Sequence, residues 1–163
     1  MPVDIRSYPR TDFDNLQVTS ASLSAVAGQK QVNSIVGTIP TAAGTTGISL
    51  IAPATGTLTA AKFVAKDALS AHDTNYLSFA IVNKGQAGAG TTAMLAATAA
   101  NSTKVTGGTA LAAYTTRGLT LHGTAGNLAV VAGDCLEVQF IGSGTLANTV
   151  TQGFVQLLFS ATA

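Results

Sequence analysis

Ionised side chains are what this chain has least of. Only 9% of its residues are charged, where an ordinary soluble domain carries ~25%. Five of the fifteen charged residues, Asp4, Arg6, Arg10, Asp12 and Asp14, fall within the first fourteen positions, so the rest is poorer still. A monomer relies on a charged, mixed surface to stay soluble and separate. A body this neutral is expected to face other polypeptide over much of its surface. The net charge of +1 comes from few, scattered Lys and Arg, which argues against nucleic-acid binding by phosphate neutralisation. A single cysteine, Cys135, excludes an intramolecular disulfide and reads as a small buried hydrophobe. No apolar run nears the ~18 residues of a membrane span. The stretch from Met1 to Arg10 has no signal-peptide apolar core, and synthesis in the cytosol without export is the expectation.

Tryptophan is absent, and aromatics make up 6% of the chain. Although 47% of residues count as hydrophobic, 29 residues are alanine, which buries little area. The core must therefore come from a limited set of Leu, Ile, Val and Phe. A thin supply of that kind suits two packed sheets of short strands better than a stack of large helices. At 163 residues, one domain is the default.

What is present divides at about residue 30. Residues 1–30 read as an extended N-terminal arm: Pro2 and Pro9 discourage regular structure, and Thr19 to Ser24 is polar and low in complexity. Arg6, Tyr8, Arg10 and Phe13 belong to types enriched at interface centres. With Asp12 and Asp14 they are the candidate docking residues.

Residues 31–163 read as a β-domain. Strands are predicted over Val32 to Ile39, Gly47 to Ala52, Thr57 to Lys66 and Asn75 to Asn83, with Leu77, Phe79 and Ile81 on one face. A change of apolar parity between Leu58 and Ala61 predicts a β-bulge near Ala60. Lys84 to Gly90 is a glycine-rich loop, Thr91 to Ala100 a strand, and Thr109 to Tyr114 one short helical turn. Further strands are marked by Leu119 and Leu121, by Asn127 to Val131, and by Cys135 to Ile141 beyond the tight turn Ala132-Gly133-Asp134. In that last strand Leu136, Val138 and Phe140 point inward, and Glu137 and Gln139 outward. Thr151 to Ser160 completes the set with Val155, Leu157 and Phe159 inward. About eight strands with turns every 8 to 15 residues indicate an all-β fold, an antiparallel β-sandwich or barrel.

No catalytic constellation emerges. Gly88-Ala89-Gly90-Thr91-Thr92-Ala93 matches a loose dinucleotide fingerprint but has no acidic residue about 20 positions on. His72 beside Asp73 lacks the convergent ligands of a zinc site and the nucleophile of a hydrolase, as does His122. Gly142-Ser143-Gly144 has the wrong spacing for a nucleophile elbow. Asp67, Asp73, Asp134 and Glu137 sit at turns or outward strand positions, where solvation accounts for them. Asn101-Ser102-Thr103 is a sequon by chance. No cofactor, metal or small-molecule substrate is expected, and no enzymatic activity.

Four segments carry a resemblance by their order and spacing. They are Asp73-Thr74-Asn75-Tyr76-Leu77-Ser78-Phe79-Ala80-Ile81-Val82-Asn83-Lys84-Gly85, Gly88-Ala89-Gly90-Thr91-Thr92, Gly107-Gly108-Thr109-Ala110-Leu111 and Val131-Ala132-Gly133-Asp134. Over roughly residues 45 to 160 the chain resembles the head decoration (cement) proteins of tailed double-stranded DNA bacteriophages. The resemblance implies a small jelly-roll-like β-sandwich. It also implies a homotrimer on the outer surface of a mature capsid, with the major capsid protein as partner. The arm matches no family pattern residue by residue. The rival readings are a trimeric fibre or receptor-binding module, for which exposed aromatics at a sugar site would be expected, and a glycan-active enzyme on the same fold.

Overall fold

The computed structural model describes residues 28–162. The arm, with Arg6, Tyr8, Arg10, Asp12, Phe13 and Asp14, lies outside the described residues. Within them the chain is all-β, built from β1 (Gln29–Val36), β2 (Gly44–Ile51), β3 (Gly56–Ala65), β4 (Tyr76–Gly85), β5 (Thr92–Leu95), β6 (Thr116–Leu119), β7 (Ala129–Val130), β8 (Cys135–Ser143) and β9 (Gly153–Ala161). Two antiparallel sheets result, ordered β1-β9-β3-β6 and β2-β8-β4-β5, with the two-residue β7 beside the start of β3.

The strand order shows how the fold arises. β1 pairs with β9, β2 with β8, β3 with β6 and β4 with β5, the pairing of one long hairpin closed at the β4–β5 loop. Rolling that hairpin up brings β3 against β9 and β4 against β8. Most connections consequently cross from one sheet to the other. This is the double-sheet jelly roll of an antiparallel sandwich.

Alternation decides which side chains fill the space between the sheets. In β8, Leu136, Val138 and Phe140 are buried; in β9, Val155, Leu157 and Phe159 are. Phe63 from one sheet meets Phe79 and Phe140 from the other at ring-centroid distances of 5.0 and 5.4 Å, and those two meet edge-on at 5.9 Å. Three rings thus link the sheets where the small residues elsewhere could not. Gly153 makes room for them: a Cβ there would lie 2.5 Å from the Phe63 ring.

The predicted bulge is present, as a register shift between Leu58 and Ala60 against β9. It reverses the parity of β3, so that Leu58 and then Ala61, Phe63 and Ala65 all face the core. The Ala132-Gly133-Asp134 turn is also present, with Gly133 at φ 90°. Several expectations need correction. β1 spans Gln29–Val36, not Val32 to Ile39, and Ile39 forms a separate bridge to Val150. β4 runs on through Gly85, so the loop is shorter than Lys84 to Gly90. The Thr91 to Ala100 strand is confined to β5, and Ala99–Asn101 is a 3-10 turn. Thr109 to Tyr114 is not a helical turn: Leu111 bridges Leu69, and Ala113 bridges Ala65. Its alanines suit a helix locally, but exchange of backbone hydrogen bonds with residues over forty positions away prevails.

Candidate functional site

Residues directly opposed across antiparallel strands share a face, so the register defines what each sheet shows outward. On the β1-β9-β3-β6 sheet, Ile35 stands opposite Phe154, Phe154 opposite Val64, and Val64 opposite Thr116. The next rows are Asn33, Gln156, Lys62 and Gly118, then Gln31, Leu158 and Ala60. Lys62 is the one charge among these. Ile35 is 65% exposed and Phe154 40%, an unusual placement for two large apolar side chains side by side.

Tyr114 joins this row from the loop before β6. It has φ 55°, the one positive φ among described non-glycine residues. That left-handed conformation is costly for a bulky residue. Its N–H donates to the Ala65 carbonyl at 2.8 Å, and its side chain is 74% exposed. Ile35, Val64, Tyr114 and Phe154, with Lys66, line an open groove of about 220 Å³. Lys62, Val64, Thr116, Phe154 and Gln156 line a smaller hollow of about 130 Å³ on the other side of Phe154. The apolar strip is therefore flanked by one lysine on each side.

The acid next in sequence to Lys66 is already engaged. Asp67 accepts hydrogen bonds from the Thr151 hydroxyl (2.5 Å) and backbone N–H (2.7 Å). The hydroxyl bond first, then the N–H bond, holds its carboxyl below the ordinary value of 3.8.

Five other polar side chains make hydrogen bonds within the fold. Arg117, paired with Phe63 across β3 and β6, points inward. Its guanidinium donates to the carbonyls of Thr109 (2.6 Å), Ser102 (2.6 Å) and Ala100 (3.1 Å), and lies 5.2 Å from the Phe79 ring centroid. Burial lowers its pKa. His72 does not pair with Asp73: its Nδ1 accepts from the N–H groups of Thr74 and Asn75, closing a turn. Asp73 instead accepts from the Thr106 N–H at 2.9 Å, which lowers its pKa. His122 Nδ1 accepts from the Thr124 N–H. Asp134 is buried, contrary to the solvated role its turn suggested. It accepts from the Val131 N–H and the Asn83 amide, both at 2.9 Å, and so pins the β7–β8 turn to β4. Among the described residues no three His, Cys, Asp or Glu side chains converge as metal ligands. No described helix is long and apolar enough to cross a membrane.

Sequence reasoning missed Ile35, Phe154 and Tyr114. A signal existed in β9, where Phe154 and Leu158 occupy the outward parity beside inward Val155, Leu157 and Phe159. A strand apolar on both parities asks for cover on both faces. Compared with family models, with curated proteins and with solved structures, the chain matches none.

Proposed function

We propose that this protein is a structural virion component of a tailed bacteriophage, a decoration protein that binds the outer surface of the mature capsid as a homotrimer. One observation carries the reading: both outer sheet faces are nearly devoid of free charge. One face holds Lys62 and Lys66, on either side of exposed Ile35 and Phe154. The other holds Lys84 and Glu137, paired at 3.7 Å. Faces of this kind are poorly suited to bulk water and well suited to contact with other polypeptide. A jelly-roll sandwich supplies the rigid body on which such contacts can be held in fixed geometry. The resemblance in segment order points to the same class of protein.

In this reading the major capsid protein is the partner. Arg6, Tyr8, Arg10, Asp12, Phe13 and Asp14 form the docking arm, and no catalysis, nucleic acid, membrane or small-molecule substrate is involved. Three modest arm contacts on one trimer raise effective affinity by roughly 10² to 10⁴-fold over a single arm. A trimer spanning several shell subunits must leave before they can separate, which clamps the shell against the pressure of packaged DNA. The protein is made in the host cytoplasm and resides on the virion exterior.

Co-sedimentation of the full chain with expanded capsids lacking it tests the reading, alongside light scattering of the free protein. Trimers that bind capsids, with binding lost on deletion of residues 1–14, are expected. A monomer at micromolar concentration, or undiminished binding by the truncated chain, would overturn the trimer or the arm respectively. Exposed Tyr114 beside a groove favours a second reading as a fibre or receptor-binding module. Selective glycan-array binding lost in Tyr114→Ala would establish that alternative.

A further inference from the structure

We propose that the groove between Ile35, Val64, Tyr114 and Phe154 seats this chain's own Asp12-Phe13-Asp14 segment. The Phe13 ring lies against Phe154 and Ile35, and the two carboxylates meet Lys62 and Lys66. The proposal rests on the docking-arm reading and divides the arm in two. Residues 12–14 anchor it to its own body, and Arg6, Tyr8 and Arg10 reach the shell.

The groove specifies its occupant by chemistry. Its floor is apolar, and Lys66 flanks it while Lys62 flanks the adjoining hollow. The two lysines are four positions apart along one extended stretch, which is about 13 Å at ~3.3 Å per residue. The carboxylate nearest Lys66 in sequence, Asp67, is committed to Thr151. A fitting occupant is a large apolar side chain with an anionic group on either side. The chain has seven acidic residues, and only Asp12-Phe13-Asp14 places an aromatic between two of them.

Reach agrees with chemistry. Ile35 lies six positions along β1 from Gln29, about 20 Å in an extended strand. Residues 15–28 supply fourteen links, up to ~46 Å at ~3.3 Å each. That is ample for the segment to turn back and lie over the face of its own sheet. Tyr114 adds an independent sign. A tyrosine held in the left-handed region with its ring at the groove rim stores strain where a contact has to be presented.

A spin label on Thr11→Cys in a Cys135→Ser background of the full chain tests this by amide resonance broadening in the absence of capsids. Broadening of Ile35, Val64 and Phe154, with Ser49 and Gln139 on the opposite face spared, is expected. Lys62→Glu with Lys66→Glu should abolish the pattern, and adding Asp12→Lys with Asp14→Lys should restore it. Uniform broadening, or indifference to the charge reversal, would overturn the proposal. So would broadening seen only when labelled chains are mixed with separate isotope-enriched chains, which would give the groove to a second copy's arm. Capsid co-sedimentation of the same samples separates the two claims. Intact broadening without capsid binding sinks the shell reading alone, and capsid binding without broadening sinks the groove alone.

Discussion

The two sheets of this sandwich obey one alternation rule and arrange their outward apolar side chains differently. Outward positions of β1, β9 and β3 include Ile35, Phe154, Leu158 and Val64, a strip with bulk. Outward positions of β2, β8 and β4 include Thr45, Gly47, Ser49, Ile51, Gln139, Ile141 and Val82, with Glu137 paired to Lys84; Ile51 is exposed at the end of its strand, while Ser78 and Ala80 are buried. Nothing in the interior demands the difference, because Phe63, Phe79 and Phe140 serve both sheets equally. One face gathers its apolar side chains around a groove between two lysines, and the other spaces Ile51, Val82 and Ile141 among small residues.

The comparison can be broken at its foundation first. If both faces ride on one interior, Phe63→Ala should cost about 3–5 kcal/mol and leave a single urea transition seen alike by hydrogen exchange in both sheets. Loosening confined to one sheet would show that each is stabilised separately. Arg117→Met removes donors from three carbonyls at the sandwich edge and should cost about 1.5–3 kcal/mol, with exchange rising first in residues 100–110. Equal stability of that variant would mean water replaces the guanidinium without loss.

The faces themselves are separated by paired surface changes. Phe154→Lys and Gln139→Lys should each stay within about 0.5 kcal/mol of the parent in stability. If the capsid is the partner proposed above, affinity for it should nevertheless fall at least about tenfold for Phe154→Lys, a loss of ~1.4 kcal/mol, and hold for Gln139→Lys. Equal losses would show that the two faces contribute alike. The smallest effect is acidic. Asp67 and Asp73 have folded pKa values below the ordinary 3.8, so their contribution is complete above that value and lost as pH falls through the lower folded one. Melting temperature should drop below about pH 3.8, and Asp67→Asn should shallow that decline. An unchanged acid limb would remove the Thr151 contact from the account.

Legibility followed the range of the interactions involved. The Leu136-Val138-Phe140 alternation, the bulge beside Ala60 and the Gly133 turn are encoded within a few residues, and each could be read directly. Thr109 to Tyr114 suits a helical turn locally, but its partners, Leu69 and Ala65, are more than forty positions away and hold it otherwise. Asp134 looked solvated until Asn83, brought from β4, covered it. The inward turn of Arg117 has no local signal at all, since its acceptors come from a loop preceding β6.

For the candidate face the division is the same. Phe154 and Leu158 were visible as a second apolar parity, but Ile35, Val64 and Tyr114 become their neighbours only through the β1-β9-β3 register and the bridge at Ala113. By itself the sequence determined an all-β chain, its inward residues and its poverty of charge, because periodicity and composition are local quantities. Tertiary structure alone decided which strands adjoin and which outward side chains gather into a groove between two lysines. Those depend on rolling a long hairpin into two sheets, and hence on contacts between residues far apart along the chain.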